Sequence, residues 1–177
     1  MGLYLYRLMG AAMLDAGMYE GIEADRHTNL QAAVTVVLAS LAAGIGAAGW
    51  YGIHPATLAL VAATACLTWV AWAVMVFHIG TRMLREPQTQ VTLGELLRTT
   101  GFAAAPGLLQ VFAMLPAMSV PVFVGTWLWM VAAMVVAVQH ALDFTSTWRA
   151  IAVCLIAVSL SVALAVVLGI LWGPTLS

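Results

Sequence analysis

The chain has 177 residues, 64% hydrophobic and 7% charged, with a formal net charge of −1 and a mean hydropathy of +1.04. A soluble domain is roughly half apolar and about a quarter charged, and a core of this size cannot hide so much apolar surface; composition therefore excludes a soluble globule and points to an integral membrane protein. Nucleic-acid binding is excluded as well, because it draws on a clustered basic face, whereas here there is no lysine and six arginines stand against seven acids.

Residues 3–26 read as a helix, with Leu14, Met18 and Ile22 at i, i+4, i+8 forming an apolar stripe. Its acids, Asp15, Glu20, Glu23 and Asp25, outnumber Arg7 and Arg26. This favours docking beneath a bundle over lying on anionic lipid, which selects basic faces. Neither a cleavable signal peptide nor a myristoylation pattern is expected. Arg7 and Asp15 interrupt the apolar run, and Tyr6 stands where myristoylation needs Ser or Thr.

Charges then divide the chain. Arg26 and Arg82 enclose 55 uncharged residues, Arg98 and Asp143 enclose 44, and 28 more follow Arg149. A spanning helix takes about 20 apolar residues, so these stretches predict two, two and one spans. They are placed at about 29–49, 56–79, 96–115, 119–141 and 149–172, with turns at GWYGIHP (49–55) and LPAMSVP (115–121). The expected fold is an all-α integral membrane protein: five transmembrane helices in one domain, with residues 1–28 a cytosolic or interfacial helical segment.

All six arginines fall on one side of that topology, and the other side, residues 50–55, 116–118 and 173–177, has none. The positive-inside rule places that arginine-bearing side, with the N-terminus, in the cytosol and the C-terminus outside, in the cytoplasmic membrane. Every acid shares the arginine side, and no Asp, Glu, Lys or Arg is expected at bilayer depth. This weighs against a proton-coupled carrier.

Within span one, Ala39, Ala43 and Ala47 recur every four residues among Gly44, Gly46 and Gly49. Such a stripe lets backbones approach, either inside the bundle or across a homo-oligomer. Thr92-Leu93-Gly94-Glu95 fits a capping box opening span three, with Arg98 one turn on. Inside that span Pro106 and Gly107 break the helix beside Gln110; a proline there frees the carbonyl of Phe102 and opens the turn. Such a break either shapes the bundle or lines a cavity.

His78, His140 and Asp143 lack an established metal spacing, and Ser146 lacks the elbow of a nucleophile. Cys66 and Cys154 read as buried packing residues, with no CxxC motif. No cofactor, metal or catalytic role is expected.

YEGIEAD (19–25), HIGTR (78–82), GELLRTTGFAAAPG (94–107) and ALDFTSTWRA (141–150) together resemble the bacterial branch of the Yip family, the Ypt-interacting-protein membrane domain. The resemblance implies a five-helix membrane domain. Eukaryotic members bind Rab-type GTPases and act in vesicle traffic and membrane shaping. The DLYGP signature is absent here, with GELLRTTGFAAAPG in a comparable place, and a bacterial-looking sequence has no Rab partner, so Rab binding is not carried over. What the resemblance leaves is a polar inner face at Glu20, Glu95, Arg98, Asp143 and Arg149, beside the kink at Pro106 and Gln110. The expected function is a non-enzymatic scaffold or adaptor recognising a protein or lipid headgroup through that face. The alternative is a small transporter, channel or lipid-moving protein built around the broken span. Expected partners are membrane lipids, an unidentified protein, or a second copy through Ala39, Ala43 and Ala47.

Overall fold

A computed structural model of the chain describes residues 2–48, 55–115 and 117–172. The described residues form helices, with no strand among them. Four helices are long and apolar enough to cross a membrane: α3 (Thr28–Ala48), α4 (Pro55–His78), α6 (Ser119–Ala141) and α7 (Thr147–Trp172). Their bounds lie within two residues of four predicted spans. The predicted turn at GWYGIHP falls almost entirely outside the described residues, as do residues 173–177.

The N-terminal segment is two helices rather than one: α1 (Gly2–Ala12) and α2 (Ala16–Ala24). Leu14 takes a left-handed φ of 63°, and its N–H and that of Asp15 return to the carbonyls of Ala11 and Gly10. That is the hydrogen-bond pattern of a Schellman stop. Asp15 then opens α2 by accepting from the Met18 N–H at 3.3 Å. Its acidity conceals its role as a cap.

The remaining predicted span, 96–115, also divides, into α5 (Leu93–Phe102) and a 3-10 helix (Ala105–Met114). The capping box is complete, with Thr92 N–H donating to Glu95 Oε2 at 2.7 Å and Glu95 N–H to Thr92 Oγ1 at 3.3 Å. Past Phe102 the register tightens: Gly107 N–H bonds Ala104 three residues back at 2.9 Å. With three residues per turn, Gly107, Gln110 and Ala113 form one row, and all three are buried.

That row packs along α3. A methyl group on Gly101 would lie 2.7 Å from Ala32 Cβ, one on Gly107 would lie 3.1 Å from Ala39 Cβ, and one on Gly46 would strike the Gln110 carbonyl oxygen. Pairs 32–101, 39–107 and 46–110 advance together, so the broken segment runs parallel to α3. Small residues on both sides permit the approach. Ala39 is thereby buried inside the bundle, while Ala47 is exposed.

α4 ends in a π turn, Ile79–Met83, closed by Leu84 N–H on Ile79 at 3.0 Å. There Gly80 accommodates Leu142 beyond α6. One buried cluster joins α4, α5, α6 and α7 around Val76, Leu96, Leu142 and Val153. A second joins α1 and α2 to the bundle through Tyr19, Ile22 and Phe102.

Candidate functional site

Every charged residue of the bundle gathers at the end where α4 and α6 finish and α3, α5 and α7 begin. Arg98 is 4% exposed. Its Nε donates to the Glu23 carbonyl at 3.1 Å and its Nη2 reaches the same oxygen, while Nη1 donates to Asn29 Oδ1 at 3.3 Å. The Glu23 carbonyl belongs to the last turn of α2, where carbonyls lack helical partners, so Arg98 caps α2 with a cation. Thr28 Oγ1 adds bonds to the Ile22 and Asp25 carbonyls at 3.1 and 2.7 Å.

Glu86, buried in the loop before α5, holds the opposite side of this end. Its carboxylate accepts from the Thr145 N–H at 3.1 Å and Thr145 Oγ1 at 3.0 Å, and from Gln88 Nε2. It pairs with Arg149 Nε at 2.9 Å, and Arg149 Nη1 also donates to the Leu84 carbonyl at 3.3 Å. The bond from Thr145 N–H, above all, holds the Glu86 carboxyl below the usual carboxylate range. Asp25 is likewise held low, by the His27 N–H first and Arg7 next. Glu23 moves the other way, to about 7, through burial and then the charges of Asp143 and Glu95.

Of the polar face expected from sequence, the structure commits Glu95 to the capping box, Arg98 to α2 and Arg149 to Glu86. Asp143 has a φ of 52°. The bonds Asp143 N–H to His140 and Phe144 N–H to Gln139, at 3.0 and 2.9 Å, make it the left-handed residue of a second Schellman stop. Its side chain and that of Glu20 remain exposed, with Glu20 Oε1 3.8 Å from His140 Nδ1. The sequence reading misses Glu86, although an acid directly after Arg85 in the loop before α5 signals a pairing.

Pro106 and Gln110 stand elsewhere, deep in the bundle. Beside them lies a partly open cavity of about 850 Å³. Its walls are α3 between Val36 and Ala47, α4 between Leu60 and Trp72, residues of the broken passage including Gln110, and Phe123, Met130 and Met134 of α6. Gln110 and Phe123 also line a second space of about 400 Å³ towards Trp127.

Polar groups on this wall differ in how they are satisfied. Trp69 Nε1 donates to Thr100 Oγ1 at 3.2 Å, and Ser40 Oγ returns to the Val36 carbonyl at 2.8 Å. Thr64 and Thr68, one turn apart on α4 and both exposed, make no side-chain hydrogen bond among the described residues. The side-chain amide of Gln110 meets only Met130 Sδ, at 3.9 Å. Trp72 Nε1 is the one buried side-chain donor without an acceptor among the described residues. Thr64, Thr68 and Trp72 recur every four residues, a polar row within a span that was legible in sequence but is masked there by strong overall hydropathy.

A family model described as the Yip1 domain matches residues 17–169. No curated protein and no solved structure matches the chain.

Proposed function

The chain belongs to the Yip1 domain family, and on that premise we propose that it is a non-enzymatic scaffold or adaptor of the cytoplasmic membrane, its N-terminus and charged end in the cytosol. It crosses the membrane five times. The helical rises of about 1.5 and 2.0 Å per residue give α5 and the 3-10 helix together a reach of about 35 Å, against about 30 Å of hydrocarbon. The parallel course beside α3 supports the same passage.

The observation that carries the scaffold reading is α1. Tyr4 Oη bonds Thr35 Oγ1 at 3.0 Å, two turns into α3, and Trp129 Nε1 donates to the Ala12 carbonyl at 2.6 Å. Arg7 pairs with Asp25 at 2.7 Å. So held, α1 turns Leu5, Tyr6 and Met9 outward, each more than half exposed (53%, 65% and 63%). An apolar helix face beside a membrane bundle enters lipid, and this one widens the protein in the cytosolic leaflet alone. Arg26, Arg82 and Arg85 are exposed at the same end and suit anionic headgroups, at about 1 kcal/mol each. Glu20 and Asp143 remain for a protein partner.

Cryo-microscopy of proteoliposomes tests this. Wild-type protein narrows the vesicles, and Leu5→Gln/Met9→Gln abolishes the narrowing; identical size distributions contradict the reading. The cavity beside Gln110 supports a second reading, a small transporter, channel or lipid-moving protein. Solute flux or lipid flip in liposomes, with Pro106→Ala and Gln110→Leu as variants, separates it, and rates equal to empty liposomes remove it.

A further inference from the structure

The cavity combines two features that rarely coexist without a ligand. It lies at membrane depth, bounded by α3, α4 and α6, which are long and apolar enough to cross, and its volume falls in the range of small-molecule sites, about 300–1,000 Å³. Its wall is mostly Ala, Val, Leu, Met and Phe. Yet the Trp72 indole N–H is buried without an acceptor, the Gln110 amide meets only Met130 Sδ, and the exposed Thr64 and Thr68 hydroxyls on the same wall make no side-chain hydrogen bond among the described residues. In lipid an unpaired polar group costs several kcal/mol in the order-of-magnitude sense. Other hydroxyls avoid that cost: among the described residues eight in helices, Thr35, Thr126 and Ser161 among them, bond the carbonyl four residues back, and two of these, Ser40 and Thr100, line the same cavity.

We propose that the cavity binds one uncharged lipid of the acylglycerol type, its chain against α3 and its ester and hydroxyl oxygens at Thr64, Thr68, Trp72 and Gln110. No charged side chain lines the space, so a phosphate or ammonium headgroup would be stripped of water with no counter-charge. Water alone needs two to four polar partners per molecule, and so suits the few polar groups but not the long apolar wall. An acylglycerol supplies carbonyl acceptors for Thr and Trp donors, a hydroxyl donor for the Gln110 carbonyl, and an apolar chain for the remaining volume. The inference concerns occupancy and stands apart from the scaffold role and from any movement of lipid.

Gly44 gives a clean test. It lines the cavity, and a methyl group there meets nothing within 4 Å, so Gly44→Leu fills the space without disturbing the bundle. Gly125, equally unobstructed and outside the cavity, supplies the control Gly125→Leu. Purified wild-type protein is titrated with dioleoylglycerol and, separately, with dioleoylphosphatidylglycerol, and bound adducts are read by native mass spectrometry. One dioleoylglycerol is expected on wild type and on Gly125→Leu and none on Gly44→Leu. Thr64→Val/Thr68→Val, which keeps side-chain shape, should weaken binding about tenfold, the loss expected for two neutral hydrogen bonds. Equal dioleoylglycerol adducts on Gly44→Leu and wild type overturn the proposal. So does no adduct on wild type, or a phosphatidylglycerol adduct removed by Gly44→Leu in its place.

Discussion

The charged end and the cavity treat polar side chains in opposite ways. At the charged end, Arg98, Glu86 and Thr28 are buried and each has two or more partners, so the groups act on the chain itself. In the cavity, Gln110 is buried while Thr64 and Thr68 are exposed on an apolar wall, and none has an adequate partner among the described residues. A buried polar group that is satisfied specifies structure, whereas one left open in lipid is arranged for something else. The sequence-based expectation put recognition on the charged face, where Glu95, Arg98 and Arg149 turn to the chain itself while Glu20 and Asp143 stay exposed.

The largest effect is expected from breaking the charged end. Arg98→Met strips the α2 carbonyls and Asn29 of their donor and costs about 3 kcal/mol, read as a lower melting temperature in detergent and faster proteolysis around residues 24–28. Next comes packing between α3 and the 3-10 helix. Gly46→Ala forces a methyl group against the Gln110 carbonyl and costs about 2 kcal/mol, whereas Gly44→Ala, two residues away, leaves the melting temperature unchanged. Equal effects of the two would remove the parallel course drawn for the broken passage.

Smaller effects separate two carboxylates by sign. Glu86 is held low, so its contribution is present above the ordinary carboxylate range and is lost as pH falls through its folded value. Glu86→Gln therefore lowers the melting temperature at neutral pH, with the deficit shrinking in acid. Glu23 is raised from 4.5 to about 7, so its contribution is complete below 4.5 and is lost as pH rises through about 7. Glu23→Gln should gain stability over wild type between pH 5 and 8, the smallest of these changes. Thermal unfolding from about pH 3 to 8 checks both, and parallel profiles for the two variants would contradict the assigned environments.

Much of this fold was legible. Charge-free stretches located α3, α4, α6 and α7 because lipid demands long unbroken apolar runs, and Thr92 and Glu95 announced a capping box that the structure completes. The break at Pro106 was also visible, but its form was not. A proline removes one donor, whereas ten residues of 3-10 helix depend on Gly46 and Ala39 of a distant helix admitting the backbone. The split at Leu14 was hidden because a leucine in left-handed backbone leaves no mark in sequence. The charges of the predicted polar face do lie at one end, but the contacts of Glu95, Arg98 and Arg149 run to the chain itself, and spacing along the chain cannot show that Arg98 meets Glu23 across 75 residues.

The most direct test of the central contrast is thermal unfolding with and without dioleoylglycerol, across variants of both regions. A ligand that binds only the folded state stabilises it by RT ln(1 + L/Kd), with L the free ligand concentration, about 2.7 kcal/mol at a hundredfold excess over Kd, and so raises the melting temperature. Wild type and Glu86→Gln should rise by the same increment, since the charged end does not touch the ligand, while Gly44→Leu should not rise at all. A full increment in Gly44→Leu, or one lost in Glu86→Gln instead, would contradict the division of labour between the two regions.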